Sequence, residues 1–202
     1  GRRTYFPLAG NYRTFQIERS IFDERLFANA INQGVQAHQQ EQVQSVQCSA
    51  ECVQIKTDKA QYQGRYFIDA TGRNTLMAKQ LGSINKINNL GKYSLYNYYK
   101  LAESEEADAL FAHGNIKIFL AEIGWIWCIP LTGKRLSVGL VVQKKAPIDL
   151  KQDALFEHYI NASAYMHKLL QGAEVLSTVR LEADFSYQNT QSYGQRFACC
   201  GD

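Results

Sequence analysis

Between Gly124 and Val142 the sequence places two apolar runs on either side of a polar turn: GWIWCIP, then LTGK, then RLSVGLVV. A strand turns successive side chains to opposite faces. Trp125, Trp127 and Ile129 are therefore predicted to share one face and Ile126 and Cys128 the other, with Pro130 ending the pairing. Thr132-Gly133 supplies the turn into the second strand. SLYNYYK, from Ser94, and NIKIFLAE, from Asn115, read as further strands. An antiparallel sheet is thus the element that the rest of the chain must accommodate.

The flanks have a different character. RTFQIE over 13–18 alternates as a short strand, and a helix is expected from Ser20, with Asp23 as capping-box partner and Gly34 as its stop. Cys52–Thr57 and Gln61–Asp69 flank a polar turn at Asp58-Lys59 and read as a hairpin or meander. RYFIDATGRN ends a strand at Asp69; Asn74 is the expected cap of a helix over Thr75–Leu81, which Gly82 ends. A helical segment over 151–171 and strand-like segments over 175–187 follow. The terminal FACC resembles a buried parallel strand. The expected fold class is α/β plus antiparallel β, with a sheet domain (86–190) inserted between two parts of an α/β domain (1–85 and 191–202).

Composition narrows the function classes. Hydrophobic residues make up 46% of the 202, enough for a sizeable core. A net charge of +3 is too small to point to nucleic acid or a membrane surface. No apolar run reaches membrane-spanning length, and GRRTYFPLAG lacks the pattern of a secretory signal, so a cytoplasmic protein is expected. Five cysteines, an odd number, fit reduced thiols. Cys48 and Cys52 have metal spacing, but no nearby His or Cys completes a set, so no metal site is expected. His38, His113, His158 and His167 are scattered, and no G-x-S-x-G elbow occurs. Glu103, Glu105, Glu106 and Asp108 read as a solvated helix face. The missing initiator Met and the stop just after an apolar strand suggest an internal fragment.

Four places carry candidate chemistry. Arg19 lies at a strand–helix junction, where a helix N-terminus and a cation can face an anion, although its spacing alone favours a solvated strand end. Asp69-Ala70-Thr71-Gly72 ends a strand in small residues, which lets a ligand approach the backbone. Trp125 and Trp127 make a stiff apolar wall suited to a planar ring, although strand tryptophans more often cover a core. Gly201-Asp202 puts a carboxylate at the carboxyl end of the last strand, where it can accept hydrogen bonds from ribose-like hydroxyls.

Taken in order, Arg-x-x-Phe-Asp from Arg19, the FIDATGR run, a substrate-type sheet and a terminal Gly-Asp resemble the flavoprotein hydroxylase fold of FAD enzymes. Trp-x-Trp-x-Ile-Pro, complete at residues 125–130, resembles the motif of flavin-dependent halogenases. The resemblance runs from about Arg13 to Asp202. It implies a Rossmann-like FAD-binding domain carrying an inserted antiparallel substrate domain. It also implies that Arg19 contacts FAD, that Asp69, Ala70, Thr71 and Gly72 lie near its adenosine end, and that Gly201 and Asp202 begin the motif holding the ribityl chain. Trp125, Trp127, Ile129 and Pro130 would form the catalytic motif beside the passage from flavin to substrate. Reduced FAD, oxygen and chloride or bromide would give hypohalous acid, used on an electron-rich small aromatic substrate, free or carrier-bound, with a separate flavin reductase as partner. The family's catalytic Lys lies upstream of the Arg-x-x-Phe-Asp segment and matches no Lys here. Gly-x-Gly-x-x-Gly does not occur in the sequence, so the chain alone is expected to be inactive and not to hold FAD. An FAD-dependent aromatic monooxygenase or related oxidoreductase of the same fold, and a non-enzymatic hydrophobic-ligand module, remain open alternatives.

Overall fold

A computed structural model describes residues 4–6, 10, 14–87, 90–144, 150–184 and 186–201. In chain order the first elements are α1 (Arg19–Asn32), β1 (Val43–Cys48), β2 (Val53–Thr57), β3 (Gln61–Gly64) and β4 (Phe67–Asp69). A tight helical turn, Gly72–Asn74, leads to α2 (Leu76–Leu81) and β5 (Ile84–Lys86). Next come β6 (Lys92–Lys100), α3 (Glu105–His113), β7 (Lys117–Ala121), β8 (Gly124–Leu131) and β9 (Arg135–Gln143). Helices α4 (Gln152–Ala162) and α5 (Ala164–Leu169) precede β10 (Glu174–Val175), β11 (Arg180–Glu182), β12 (Tyr187–Asn189), β13 (Tyr193–Gly194) and β14 (Phe197–Cys199). These form two compact units, Gly1–Asn29 with Lys92–Ala183 and Ala30–Gly91 with Asp184–Asp202.

The first unit is built on an antiparallel sheet in the order β10-β6-β9-β8-β7, with β11 also paired to β6. The aromatic and β-branched content of β6, β8 and β9 suits a pleated surface. One face is covered by helices. Leu95, Ile126, Cys128, Leu136, Val138, Leu140 and Val142 pack there with Ala107 and Leu110 of α3, Leu155, Phe156 and Ile160 of α4, and Met166 and Leu169 of α5. Burying each Leu or Phe in such a core stabilises the fold by about 2 kcal/mol relative to leaving it exposed. α3 begins where Ser104 Oγ accepts the Ala107 N–H at 3.1 Å, has Glu105, Glu106 and Asp108 in its first turn, and ends at the left-handed Gly114. Asp108 and Glu106 have cationic partners: Lys134 bonds to Asp108 and to Glu103 ahead of the helix, and Lys168 to Glu106.

In the second unit β1, β2 and β3 form an antiparallel sheet, β12 pairs with β5, and β14 lies between β13 and β4. β14 runs parallel to β4, with Phe197, Ala198 and Cys199 opposite Phe67, Ile68 and Asp69. That agrees with the parallel character expected of FACC. Val46, Val53, Met77 and Phe197 form the core of this unit.

Several expectations need correction. Residues 14–18 are not a strand, and residue 13 lies outside the described residues. This segment has no strand partner among the described residues to take up its backbone groups. Side chains hold it instead: Gln16 Nε2 donates to the Gly114 carbonyl at 2.7 Å, and Arg135 forms a two-pronged pair with Glu18. α1 starts at Arg19, and Asp23 accepts from the Arg19 guanidinium at 3.1 and 3.2 Å rather than closing a capping box. The run 61–69 divides at Arg65-Tyr66 into β3 and β4, which join different sheets. The helical segment over 151–171 breaks at Ser163, whose backbone is extended and whose hydroxyl caps α5. Pro130 does not end β8; pairing with β9 continues through Pro130↔Leu136 to Leu131↔Arg135. β7 accompanies β8 only from Gly124 to Cys128, so Pro130 stands where β8 has become an edge, the place a sheet tolerates a missing N–H.

Candidate functional site

Two features collect the predicted site residues, one in each unit. In the second unit, β4 and β14 end side by side at Asp69 and Cys199, and the chain leaves both ends into loops. These loops border a cleft of about 460 Å³, lined by Asp69, Thr71, Gly72, Arg73, Asn189 and Gly201 among others. The structure thus brings Asp69, Thr71 and Gly72 together with Gly201, which is distant in sequence. Ala70 is exposed and is not among the lining residues. Asp202 lies outside the described residues. Arg19 belongs to the first unit, where its side chain is exposed and bonded to Asp23.

Asp69 organises the loop. Oδ1 accepts the Thr71 N–H at 3.0 Å and the Thr71 hydroxyl at 2.7 Å, and Oδ2 accepts the Met77 N–H at 2.7 Å. Thr71 Oγ1 accepts the Leu76 N–H at 3.1 Å. Asp69 and Thr71 therefore satisfy the first N–H groups of α2, a role that the sequence suggested for Asn74. Burial alone would raise the Asp69 carboxyl, but the Thr71 hydroxyl and the Met77 and Thr71 N–H groups outweigh it and hold it below the ordinary range. Thr75, between the tight turn and α2, sits at φ +48, a conformation costing a non-glycine residue about 1 kcal/mol. Its N–H reaches the Gly72 carbonyl at 3.0 Å, and its carbonyl accepts the Lys79 N–H at 2.9 Å.

The other wall comes from residues that no sequence motif marked. Asn189 Oδ1 accepts the Ser83 hydroxyl at 2.7 Å and the Gln191 N–H at 3.0 Å, and its Nδ2 lies 3.7 Å from Cys199 Sγ. Tyr187 OH lies 3.5 Å from the Gly72 carbonyl. Their only sequence signal is a short polar segment ahead of the last strand.

The cleft fits a ligand that approaches the main chain. Gly72 (φ +53) and Gly201 (φ +90) are both left-handed, and a Cβ built on either would meet nothing within 4 Å. Their backbone therefore borders open space. Asp69, in contrast, is only 5% exposed and spends both oxygens on its own loop.

The second feature is the face of the sheet opposite the helices. As predicted, Trp125, Trp127 and Ile129 share it, half-buried, while Ile126, Cys128 and Pro130 point into the core. Cross-strand register adds Val141, Gly139 and Ser137 of β9 and Tyr96 and Tyr98 of β6. On β7, Ile118 and Leu120 continue the surface at 55% and 90% exposure. The Lys92 ammonium lies 5.1 Å from the Trp125 ring centroid, within cation–π range. On the covered face burial pushes the Cys128 thiol up to about 12, with the nearby Lys117 charge opposing the shift. This thiol belongs to the core and has no part in chemistry on the open face.

Comparison with known proteins bears on the family of the chain. Residues 4–171 match the family model described as tryptophan halogenase. The chain is 26% identical to a 1H-pyrrole-2-carbonyl-(peptidyl-carrier protein) chlorinase of Pseudomonas fluorescens, covering 94% of this chain and 44% of that one. It is 29% identical to a tryptophan 2-halogenase of Chondromyces crocatus, covering 94% of this chain and 38% of that one. The chain thus spans less than half the length of these relatives. The crystal structure of CmlS, a flavin-dependent halogenase, superposes with a TM-score of 0.81 at 27% identity, covering 93% of this chain and 35% of that one. With a complete Trp-x-Trp-x-Ile-Pro strand and a family match over most of its length, this chain belongs to the tryptophan halogenase family.

Proposed function

We propose that the chain is part of an FAD-dependent halogenase acting on an electron-rich aromatic ring. The observation that carries this reading is the Trp-x-Trp-x-Ile-Pro strand, which turns both indoles onto the open face of a sheet in a chain of this family. The names of relatives supply the substrate class: one acts on a carrier-bound pyrrole and another on tryptophan. A small aromatic ring, free or carrier-bound, is the corresponding substrate here.

In this reading the β4–β14 cleft holds part of FAD. Backbone at Gly72 and Gly201 meets the cofactor, Asp202 holds its ribityl chain, and Thr71 and Ala70 lie near the adenosine. Asp69 acts indirectly by fixing the loop, and Arg19 supplies a cationic contact. The parallel β4–β14 pair brackets residues 92–183 in sequence, which supports an antiparallel substrate domain inserted into a Rossmann-like FAD domain. Bound FAD, reduced by a separate reductase, supplies the activation of oxygen toward chloride or bromide. Trp125, Trp127 and Ile129 form an apolar wall that excludes water, and Pro130 completes the motif from the covered face of the strand. The 202-residue chain alone is inactive.

The test is a product assay on the intact enzyme with reduced flavin, oxygen and either chloride or bromide. A product whose mass changes with the halide supports the proposal. Halide-independent addition of one oxygen overturns it in favour of an aromatic monooxygenase. Flavin titration of folded variants then checks the roles. Trp125→Ala and Trp127→Ala lose turnover more than FAD affinity, and Arg19→Ala does the reverse. Trp variants that lose FAD yet keep full turnover at saturating flavin overturn the assignment of this face to substrate.

A further inference from the structure

Gly139 faces the open side of the sheet, yet it is buried, because the Trp127 indole lies over it. A Cβ at position 139 would fall 2.1 Å from Cζ2, 2.3 Å from Cη2 and 2.4 Å from Cε2 of that ring, so a side chain and the indole cannot share the space. The indole Nε1–H donates to Ser137 Oγ at 3.2 Å. Ser137 stands two residues along β9, on the same face. Tyr96, the cross-strand partner of Gly139 on β6, lies beyond, its ring centroid 6.3 Å from Trp127 and inclined by 34°. Side chains on a strand ordinarily stand roughly perpendicular to the sheet. Trp127 instead lies across the neighbouring strand, over the one position with no side chain.

We propose that Gly139 and Ser137 are positioning residues that lay the Trp127 indole across β9, giving the aromatic substrate a low, fixed wall on the open face of the sheet. The substrate part of this inference rests on the reading of that face given above; the posture of the ring does not. Gly139 makes the room. Ser137 selects the orientation, since turning the ring over would carry its N–H away from the hydroxyl. Neither residue touches the reacting atoms.

The experiment uses tryptophan-selective isotope labelling of the intact protein, with Trp127→Phe to assign the indole N–H resonance. Ser137→Ala should shift the Trp127 resonance upfield and speed its hydrogen exchange roughly five-fold, the change expected from one neutral hydrogen bond. The Trp125 resonance should stay in place, and Ser137→Thr should restore the parent behaviour. Gly139→Ala should expel the ring, giving a larger shift and red-shifted tryptophan emission. If Gly139→Ala does not fold, the Ser137→Ala and Ser137→Thr pair still decides. An unmoved Trp127 resonance in Ser137→Ala, or no rescue by Thr, overturns the positioning role. The second measurement is turnover. Ser137→Ala should lower kcat/KM for the aromatic substrate with FAD affinity unchanged. A shifted resonance with unchanged kcat/KM keeps the posture and overturns the substrate role of the face.

Discussion

Met77 donates its backbone N–H to Asp69 Oδ2 at 2.7 Å, so the residue ending β4 also caps the helix after the loop. One buried carboxylate thereby sets the loop bordering the cleft. Asp69→Ala should cost about 1–3 kcal/mol, the penalty for leaving buried N–H groups without an acceptor. Denaturant unfolding measures it, and a loss below the error of the method would show that water replaces the carboxylate.

The same carboxyl predicts a pH dependence. Its folded-state pKa is lowered, so its contribution is fully present above the ordinary unfolded value of about 3.9 and is lost as pH falls through the lower folded value. Asp69→Asn should flatten this part of the acid limb. Unfolding curves at a series of acidic pH values, compared with the parent protein, provide the check.

The cysteines should separate by reactivity. Cys128 is fully buried with its thiol pushed up to about 12, whereas Cys200 is exposed. At mildly alkaline pH an alkylating reagent should label Cys200 quickly and Cys128 only after denaturant is added, because the thiolate is the reactive form. Peptide mass mapping reads the outcome; early labelling of Cys128 would contradict the packing of β8 against the helices.

Arg135 pairs with Glu18 through both terminal guanidinium nitrogens and so ties residues 14–18 to the start of β9. Lysine cannot reproduce a two-pronged contact. Both side chains are partly exposed, so Arg135→Lys should cost only about 0.5–1 kcal/mol. The clearer effect should be faster proteolytic cleavage within 14–18, read by limited digestion and mass spectrometry.

Ser104 caps α3, whose Ala107 and Leu110 belong to the core under the sheet. Ser104→Ala should lower stability by about 1 kcal/mol, and Ser104→Asp should restore most of it. Thermal unfolding of the two variants tests the pair.

The sequence by itself determined the alternation of β8, the hairpin turns around it, the stops at Gly34 and Gly82 and, through a six-residue motif, the family. These are local properties: a period of two fixes which residues share a face, and a glycine at positive φ ends a helix wherever the rest of the chain lies. The tertiary structure decided what depends on partners distant in sequence. Residues 14–18 alternate like a strand, but a strand needs a neighbour to take its backbone groups, and side-chain bonds to Gly114 and Arg135 hold the segment instead. Pro130 reads as the end of a strand, yet β7 had already stopped at its side, so the missing N–H left β9 pairing intact. Asp69 reads as a ligand contact because it ends a strand before a glycine. Only the fold shows that Met77 and Thr71 occupy its oxygens and that Asn189 and Gly201 complete the cleft around it. Nor does any local rule lay Trp127 over Gly139, since that depends on the register of β8 against β9, which is fixed by packing the opposite faces of both strands onto the helices.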